Sequence, residues 1–257
     1  MIDPSARVDA GAVLASDVEI GPWCWIGAGV QIGAGTRVEA HTVIKGPTSI
    51  GRDNHIFSHC SLGEDPQDKK FSGSGKSRLE IGDRNTIREY CSINRGTPLG
   101  GGVTRLGNDN WVMAYCHIAH DCQVGNFTVF ANNATLAGHV EIEDYVILGG
   151  FTGVHQFCRI GQSSFSAIAT IIVRDVPPYV IVNGNTAKPR CINREGLKRR
   201  GFAPEAIATL KRAYRTLYRQ GHTLEEALEL LEAERDDSVE VARLLDFIRA
   251  SKRGIVR

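Results

Sequence analysis

An aliphatic side chain returns at every sixth position through most of the first 160 residues. The series opens Ile2, Val8, Leu14, Ile20, Ile26, Ile32, Val38, Ile44, Ile50, Ile56, Leu62. It pauses, resumes at Ile81, Ile87 and Ile93, and pauses again. From Leu106 it runs through Val112, Ile118, Val124, Phe130, Leu136, Ile142, Leu148 and Val154 to Ile160, with Phe130 the one aromatic member. This period excludes an amphipathic helix, whose apolar face recurs every three to four residues. It fits a solenoid in which each hexad makes one short strand and one turn, and three hexads complete a coil. The aliphatic side chain points inward and stacks on its counterpart a coil away, at the usual strand spacing of about 4.8 Å. Gly, Asn and Asp at the corners supply the positive-φ turns. The predicted fold is a parallel β-helix; the repeat alone does not fix its hand.

The two pauses fall at residues 63–78 (GEDPQDKKFSGSGKSR) and about 97–105 (TPLGGGVTR). Both are too polar and glycine-rich for the core, so they read as loops extruded from the wall, where functional residues concentrate. After DVPPY (175–179) the period vanishes, and segments near 194–200, 204–219, 223–235 and 238–250 show helical spacing. Pro204 suits a first helical turn, Thr223 with Glu226 forms a capping-box pattern, and Ser238 suits an N-cap. The expected organisation is a β-helix over 1–185 and an α-helical C-terminal domain over 186–257, of a size that is marginal alone and suits docking on the β-helix or on a neighbouring subunit.

The formal charge of +1 offers no footprint for nucleic acid. No stretch approaches the roughly 20 apolar residues of a membrane span, and MIDPSARVDA lacks a signal-peptide pattern. These features predict a cytoplasmic protein. Seven cysteines without a CxxC pair argue against both a disulfide framework and a zinc ribbon, and predict buried reduced thiols.

With three hexads per coil, residues 18 apart lie one above another. His120 then stacks over Gly138 and Gln156, Asp121 over His139 and Phe157, and Ala119 over Ala137 and His155. Thus His120, Gly138, His139, His155 and Gln156 converge on one corner, with His117 close by. Clustered imidazoles can hold a transition metal. Alternatively, one neutral imidazole serves as a general base and its neighbours bind substrate. The glycine favours the second reading, because a bare backbone N–H beside a base can stabilise an acyl-transfer oxyanion.

The stretches IGDRN (81–85), HIAHDC (117–122), ANNATLAGHV (131–140), VHQFC (154–158), DVPPYVI (175–181) and EGLKRRGF (195–202) closely resemble the UDP-N-acetylglucosamine acyltransferases, over essentially the whole chain. The resemblance implies a left-handed β-helix and transfer of an (R)-3-hydroxyacyl group from acyl carrier protein to the 3-position of UDP-linked glucosamine, the first step of lipid A biosynthesis. His120 matches the family's general base, Asp121 the carboxylate that orients it, and Gly138 the oxyanion donor. Gln67, Asp68, Lys70, His117, His139 and Gln156 match contacts to the sugar or the phosphopantetheine arm, with His155 beside them. Asn193, Glu195, Arg199 and Arg200 match nucleotide contacts, where arginine can hold phosphate oxygens bidentately. The resemblance implies no metal, no further cofactor and no acyl-enzyme. It also implies a homotrimer with active sites between subunits. The carrier protein is strongly acidic, and Lys69, Lys70, Lys76, Arg78, Arg199 and Arg200 are candidates to steer it.

Three departures from the family pattern stand out. Ile168, flanked by Phe165 and Ile172, replaces a glycine that accommodates the far end of a long acyl chain. A bulky side chain there predicts a shorter hydroxyacyl group, near about ten carbons rather than fourteen. Thr186 and Asn94 each replace a histidine. No residue decides between a 3-hydroxyl and a 3-amino acceptor. Two rival readings are weaker. The sister N-acyltransferases carry a domain ahead of their repeats, whereas hexads here begin at Ile2. A γ-carbonic-anhydrase-type zinc hydratase needs three imidazoles in a spacing that His117 and His120 do not match.

Overall fold

In the computed structural model, which describes residues 1–73 and 75–257, the hexads wind a left-handed parallel β-helix of triangular section. Position 74, within the first predicted loop, lies outside the described residues. Face I carries nine strands, from Arg7–Val8 to Ile171–Ile172. Face II carries eight, from Val13–Leu14 to Arg159–Ile160, and face III ten, from Glu19–Ile20 to Lys188–Ile192. Register follows the hexads: Arg7 and Val8 pair in parallel with Trp25 and Ile26, one coil on. In each two-residue strand the first side chain faces out and the second in, because successive residues alternate across a sheet. The inward residues Ile26, Ile44, Ile56, Ile87, Ile118, Phe130 and Leu148 are buried, whereas Ile2, at the open end, is 48% exposed.

Equivalent corner positions stack at the same repeat. His41, His59, Tyr90 and Tyr115 form a parallel ring ladder with centroids 4.9, 5.0 and 4.9 Å apart. Inside another corner, Asn54, Asn85 and Asn110 form a buried ladder of 3.0 Å side-chain hydrogen bonds that ends on Thr128. Six of the seven cysteines are buried free thiols, as expected, and Cys191 is exposed. Cys60, Cys91 and Cys116 each donate to a carbonyl of the next coil, at 3.1–3.2 Å.

The wall extends further than the aliphatic series. Ser166 occupies the inward position after Ile160, satisfied by the Gly149 N–H at 3.1 Å and the Thr152 hydroxyl at 2.8 Å, and Ile172 follows in the core. The last two strands of face III, Val180–Asn183 and Lys188–Ile192, form an antiparallel pair, so a boundary at 185/186 cuts through this hairpin. Four helices follow: α1 (Arg194–Arg199), α2 (Pro204–Tyr218), α3 (Leu224–Glu232) and α4 (Val239–Arg249). Thr223 and Glu226 complete the predicted capping box, and Ser238 caps α4. Helix α2 joins Ile207, Leu210 and Tyr214 to the β-helix core and turns Ala213 and Leu217 toward α3 and α4. No helix among the described residues is long and apolar enough to cross a membrane.

The first loop leaves the wall between Ser61–Glu64 and Arg78–Ile81, and the second between Ser92–Asn94 and Val103–Leu106. Gly63, Glu64 and Arg78 of the first loop and Val103, Thr104 and Arg105 of the second, read from sequence as loop, are strand. The loop bases are tied together. Asn94 donates to the Asp65 carbonyl at 2.9 Å, and Arg95 pairs with Asp65 and donates to the Gly46 carbonyl at 2.9 Å.

Candidate active site

His120 and Asp121 turn the corner between face I and face II, following strand His117–Ile118 and preceding Gln123–Val124. Asp121 adopts φ +62°, as do His139 (+62°) and Phe157 (+63°) directly along the column. That conformation is uncommon for residues other than glycine. Here it turns the Asp121 carboxylate back under the second loop, where its side chain is fully buried.

Thr97 fixes the carboxylate. Its N–H donates to Oδ1 at 2.9 Å and its hydroxyl to Oδ2 at 2.7 Å. Thr97 also caps the 3-10 turn Pro98–Gly100, and a Cβ at Gly100 would overlap the same carboxylate. With both oxygens held, Oδ2 accepts from His120 Nδ1 at 2.8 Å. An ionised carboxylate only accepts, so this contact puts the imidazole proton on Nδ1. His120 Nε2 is left with a free lone pair and no partner among the described residues. One coil on, a Cβ at Gly138 would lie 2.5 Å from His120 Cε1 and 2.8 Å from Nε2. Only glycine therefore lets the ring sit there, and the Gly138 N–H has no acceptor among the described residues.

His139 stacks on Phe157, with centroids 4.5 Å apart, and meets His120 edge-on at 5.2 Å. Burial lowers its pKa, opposed by the Asp121 charge. His117 faces out from face I, with Nδ1 2.7 Å from Ser92 Oγ. Burial, then repulsion from His120, lowers its pKa below the usual imidazole value. Both rings are thereby favoured as neutral donors or acceptors. His120, Asp121 and His139 do bring three potential metal ligands within 4.8 Å of one another. The carboxylate lone pairs, however, are already directed at three donors, which suits orientation of a base better than ligation.

The predicted residues divide by place. His117, His120, Asp121, Gly138 and His139 come together, and His155 and Gln156 lie exposed on the same corner a coil beyond Gly138. Asp68 and Lys70 line a cavity of about 270 Å³ with Thr97, Pro98 and Leu99, which joins the first loop to the second beside the carboxylate. Gln67 is exposed on that loop. Asn193, Glu195, Arg199 and Arg200 are elsewhere. Asn193 caps α1 and donates to the Ser163 carbonyl at 2.9 Å, and the Arg200 guanidinium lies 3.5 Å from the Tyr145 ring centroid. Ser163 and Tyr145 belong to the corner between faces II and III, so these residues cannot reach the His120 of their own chain. Of the candidate steering cations, Lys69, Lys70 and Lys76 belong to the first loop, whereas Arg78 opens the strand that follows it and pairs with Glu80 at 2.5 Å; Arg199 and Arg200 lie apart from them on α1 and its C-cap.

The three acyl-chain residues also part company. Ile168 is 71% exposed at the corner between faces III and I, beside Gly150. Phe165 faces out from face III. Ile172 is fully buried inside the coil and cannot line an external groove; its neighbour Ile171 faces out from face I, with Cδ1 3.2 Å from where a Gly153 Cβ would stand. Sequence reasoning also missed Thr97 and Gly100, because the extruded loop replaces the 18-residue offset by one of 25, as in the pairing of Ser92 with His117.

A solenoid of hexads with an oriented imidazole beside a glycine whose backbone N–H has no acceptor among the described residues defines the class of hexapeptide-repeat acyltransferases. Residues 103–138 match the bacterial transferase hexapeptide (six repeats), and residues 175–256 match domain 2 of the UDP N-acetylglucosamine O-acyltransferases. The acyl-[acyl-carrier-protein]–UDP-N-acetylglucosamine O-acyltransferase of Thiobacillus denitrificans is 56% identical over 256 residues, covering 100% of this chain and 99% of that one. The enzyme of the same description from a Janthinobacterium species is 55% identical over 261 residues, covering 100% and 99%. The crystal structure of Francisella novicida UDP-N-acetylglucosamine acyltransferase superposes with a TM-score of 0.98 at 43% identity, covering 100% of this chain and 94% of that one. The chain belongs to the UDP-N-acetylglucosamine O-acyltransferase family and is an acyltransferase.

Proposed function

We propose that the protein transfers an (R)-3-hydroxyacyl group from acyl carrier protein to the 3-hydroxyl of UDP-N-acetylglucosamine, opening lipid A biosynthesis in the cytoplasm. One observation carries this reading: His120 Nδ1 is held by the buried Asp121 carboxylate while Nε2, without a partner among the described residues, lies beside Gly138. In the reaction Nε2 removes the proton from the acceptor hydroxyl as its oxygen attacks the thioester carbon. Asp121 stabilises the imidazolium. The Gly138 N–H donates to the oxyanion, a contribution typically worth about 3–4 kcal/mol where such donors have been removed. The C–S bond then breaks, and His120 returns its proton to the departing thiolate. Attack is direct, and the cycle needs no metal and no acyl-enzyme. His117, His139, His155 and Gln156, with Gln67, Asp68 and Lys70, hold sugar and pantetheine around the base.

The separation of Asn193, Glu195, Arg199 and Arg200 from His120 supports a homotrimer in which these residues serve a neighbour's corner and bind its nucleotide. The cations of the first loop steer the acidic carrier protein. Ile168, with Phe165, limits the acyl group to about ten carbons, since a packed groove resists added volume.

The test is incubation of the purified protein with UDP-N-acetylglucosamine or its 3-amino analogue and 3-hydroxyacyl carrier proteins of graded length, with products read by mass spectrometry. An ester on the 3-hydroxyl sugar is expected. Product from the 3-amino sugar alone, or from neither, overturns the proposal.

A further inference from the structure

The last seven residues return to the catalytic corner and are pinned on both sides of Lys252 and Arg253. Ser251 donates to Asp175 Oδ2 at 2.6 Å. Past the pair, the Gly254 carbonyl accepts from the Asp175 N–H at 3.0 Å, and the Val256 N–H donates to the Asp175 carbonyl at 2.9 Å. Asp175 is itself buried, and its Oδ1 accepts from the Arg159 N–H at 2.8 Å. Ile255 and Val256 are buried, and Arg257 donates to the Leu217 and His222 carbonyls at 3.0 and 2.8 Å. The backbone that carries two adjacent cations is thus held in a fixed place.

That place is the wall of a cavity of about 650 Å³ that Lys252 and Arg253 share with Asp121, His139 and Phe157. Arg253 Nη2 lies 3.4 Å from His155 Nδ1, on the corner column itself. Every other charged side chain facing the cavity is already matched. Arg105 pairs with Glu80 at 2.6 Å, Arg159 with Glu141 at 3.0 Å, and Asp121 and Asp175 are held by their hydrogen bonds. Lys252 and Arg253 make no ion pair among the described residues. An uncompensated pair of cations beside the reacting groups is a complement for an anion.

We infer that Lys252 and Arg253 bind a phosphate group of a substrate at the catalytic corner. Resting on the proposed reaction, two sources share this chemistry: the phosphodiester of the donor's pantetheine arm and the diphosphate of the sugar nucleotide. The donor's phosphate is favoured, because Arg199 and Arg200 already offer the nucleotide cations on another corner.

The experiment titrates the full-length protein with 4′-phosphopantetheine, with pantetheine lacking the phosphate, and with UDP, for wild type and the Lys252→Ala/Arg253→Ala variant. The variant keeps Ser251, Ile255, Val256 and Arg257, so an unchanged melting temperature is expected. Losing a charge-assisted phosphate contact should weaken 4′-phosphopantetheine roughly tenfold and leave pantetheine unchanged. In turnover the KM for acyl carrier protein should rise by a like factor at constant kcat, with Arg253→Lys restoring part of the loss. Weakening confined to UDP, with a raised KM for the nucleotide, assigns the same cations to the diphosphate. Unchanged affinity for both phosphates in a folded variant overturns the inference. A wild type that binds these ligands but transfers nothing contradicts the proposed reaction instead.

Discussion

Gly138→Ala isolates the contact on which the base depends. The new Cβ would stand 2.5 Å from His120 Cε1, 2.8 Å from Nε2 and 3.1 Å from Nδ1, against 3.4–4 Å for ordinary contact. Relief at Cε1 alone therefore needs about 1 Å of movement by the ring. The ring is tethered at Nδ1 by its 2.8 Å bond to Asp121, so a shift of that size stretches the bond beyond hydrogen-bonding length. Alanine keeps the backbone N–H, and the Gly138 backbone is not in the left-handed region, so the oxyanion donor and the fold are retained. A misplacement of about 1 Å at a reacting group can cost on the order of 100-fold in rate. The expected result is a fall of that order in kcat/KM, with a melting temperature lowered by only a few degrees, as overpacking of about 1–2 kcal/mol implies. Parallel acyl-transfer kinetics and thermal melts provide the assay. Activity within about threefold of wild type, in a folded variant, would refute the reasoning.

Thr97→Val removes the hydroxyl that donates to Asp121 Oδ2, and should lower kcat by roughly 10-fold or more, about 1.5–3 kcal/mol for a hydrogen bond to a buried charge, measured by steady-state kinetics. The depressed His117 pKa makes folding favour the neutral ring: its stabilisation is full above the unfolded value near 6.5 and declines as pH falls from there through the folded pKa. Urea melts between about pH 7 and 5 should show wild type losing stability more steeply than His117→Gln. Ile168→Gly should admit longer donors; seating four further methylenes at about 0.8 kcal/mol each allows up to roughly 200-fold better relative use of a fourteen-carbon donor, read from kcat/KM ratios. Thr223→Ala, which breaks the capping box of α3, should cost about 1 kcal/mol in a denaturant melt and leave kcat unchanged.

The solenoid was readable because one inward aliphatic per hexad is both the repeat and the core. The correspondence ends where that identity breaks. At Ser166 the inward position is filled by a hydroxyl matched to Gly149 and Thr152, so a side chain that looked like an end of the repeat is a continuation of it. Counting in eighteens placed His120 over Gly138 and Asp121 over His139, since corner positions stack as faithfully as strands do. It could not reach Thr97, because a loop breaks the count, nor Arg253, because nothing in a helical tail announces that the chain returns to the catalytic corner. The strand alternation also separates Ile171, facing out, from Ile172, facing in, a distinction of one residue that decides which side chain can meet substrate.

The most direct test of the central claim compares acyl transfer from 3-hydroxyacyl carrier protein to UDP-N-acetylglucosamine by wild type and His120→Ala. Loss of general-base catalysis predicts a fall in kcat of about 10²–10⁴-fold, with the KM for UDP-N-acetylglucosamine little changed. Turnover by a folded His120→Ala protein at more than about a tenth of the wild-type rate would contradict a base at this corner.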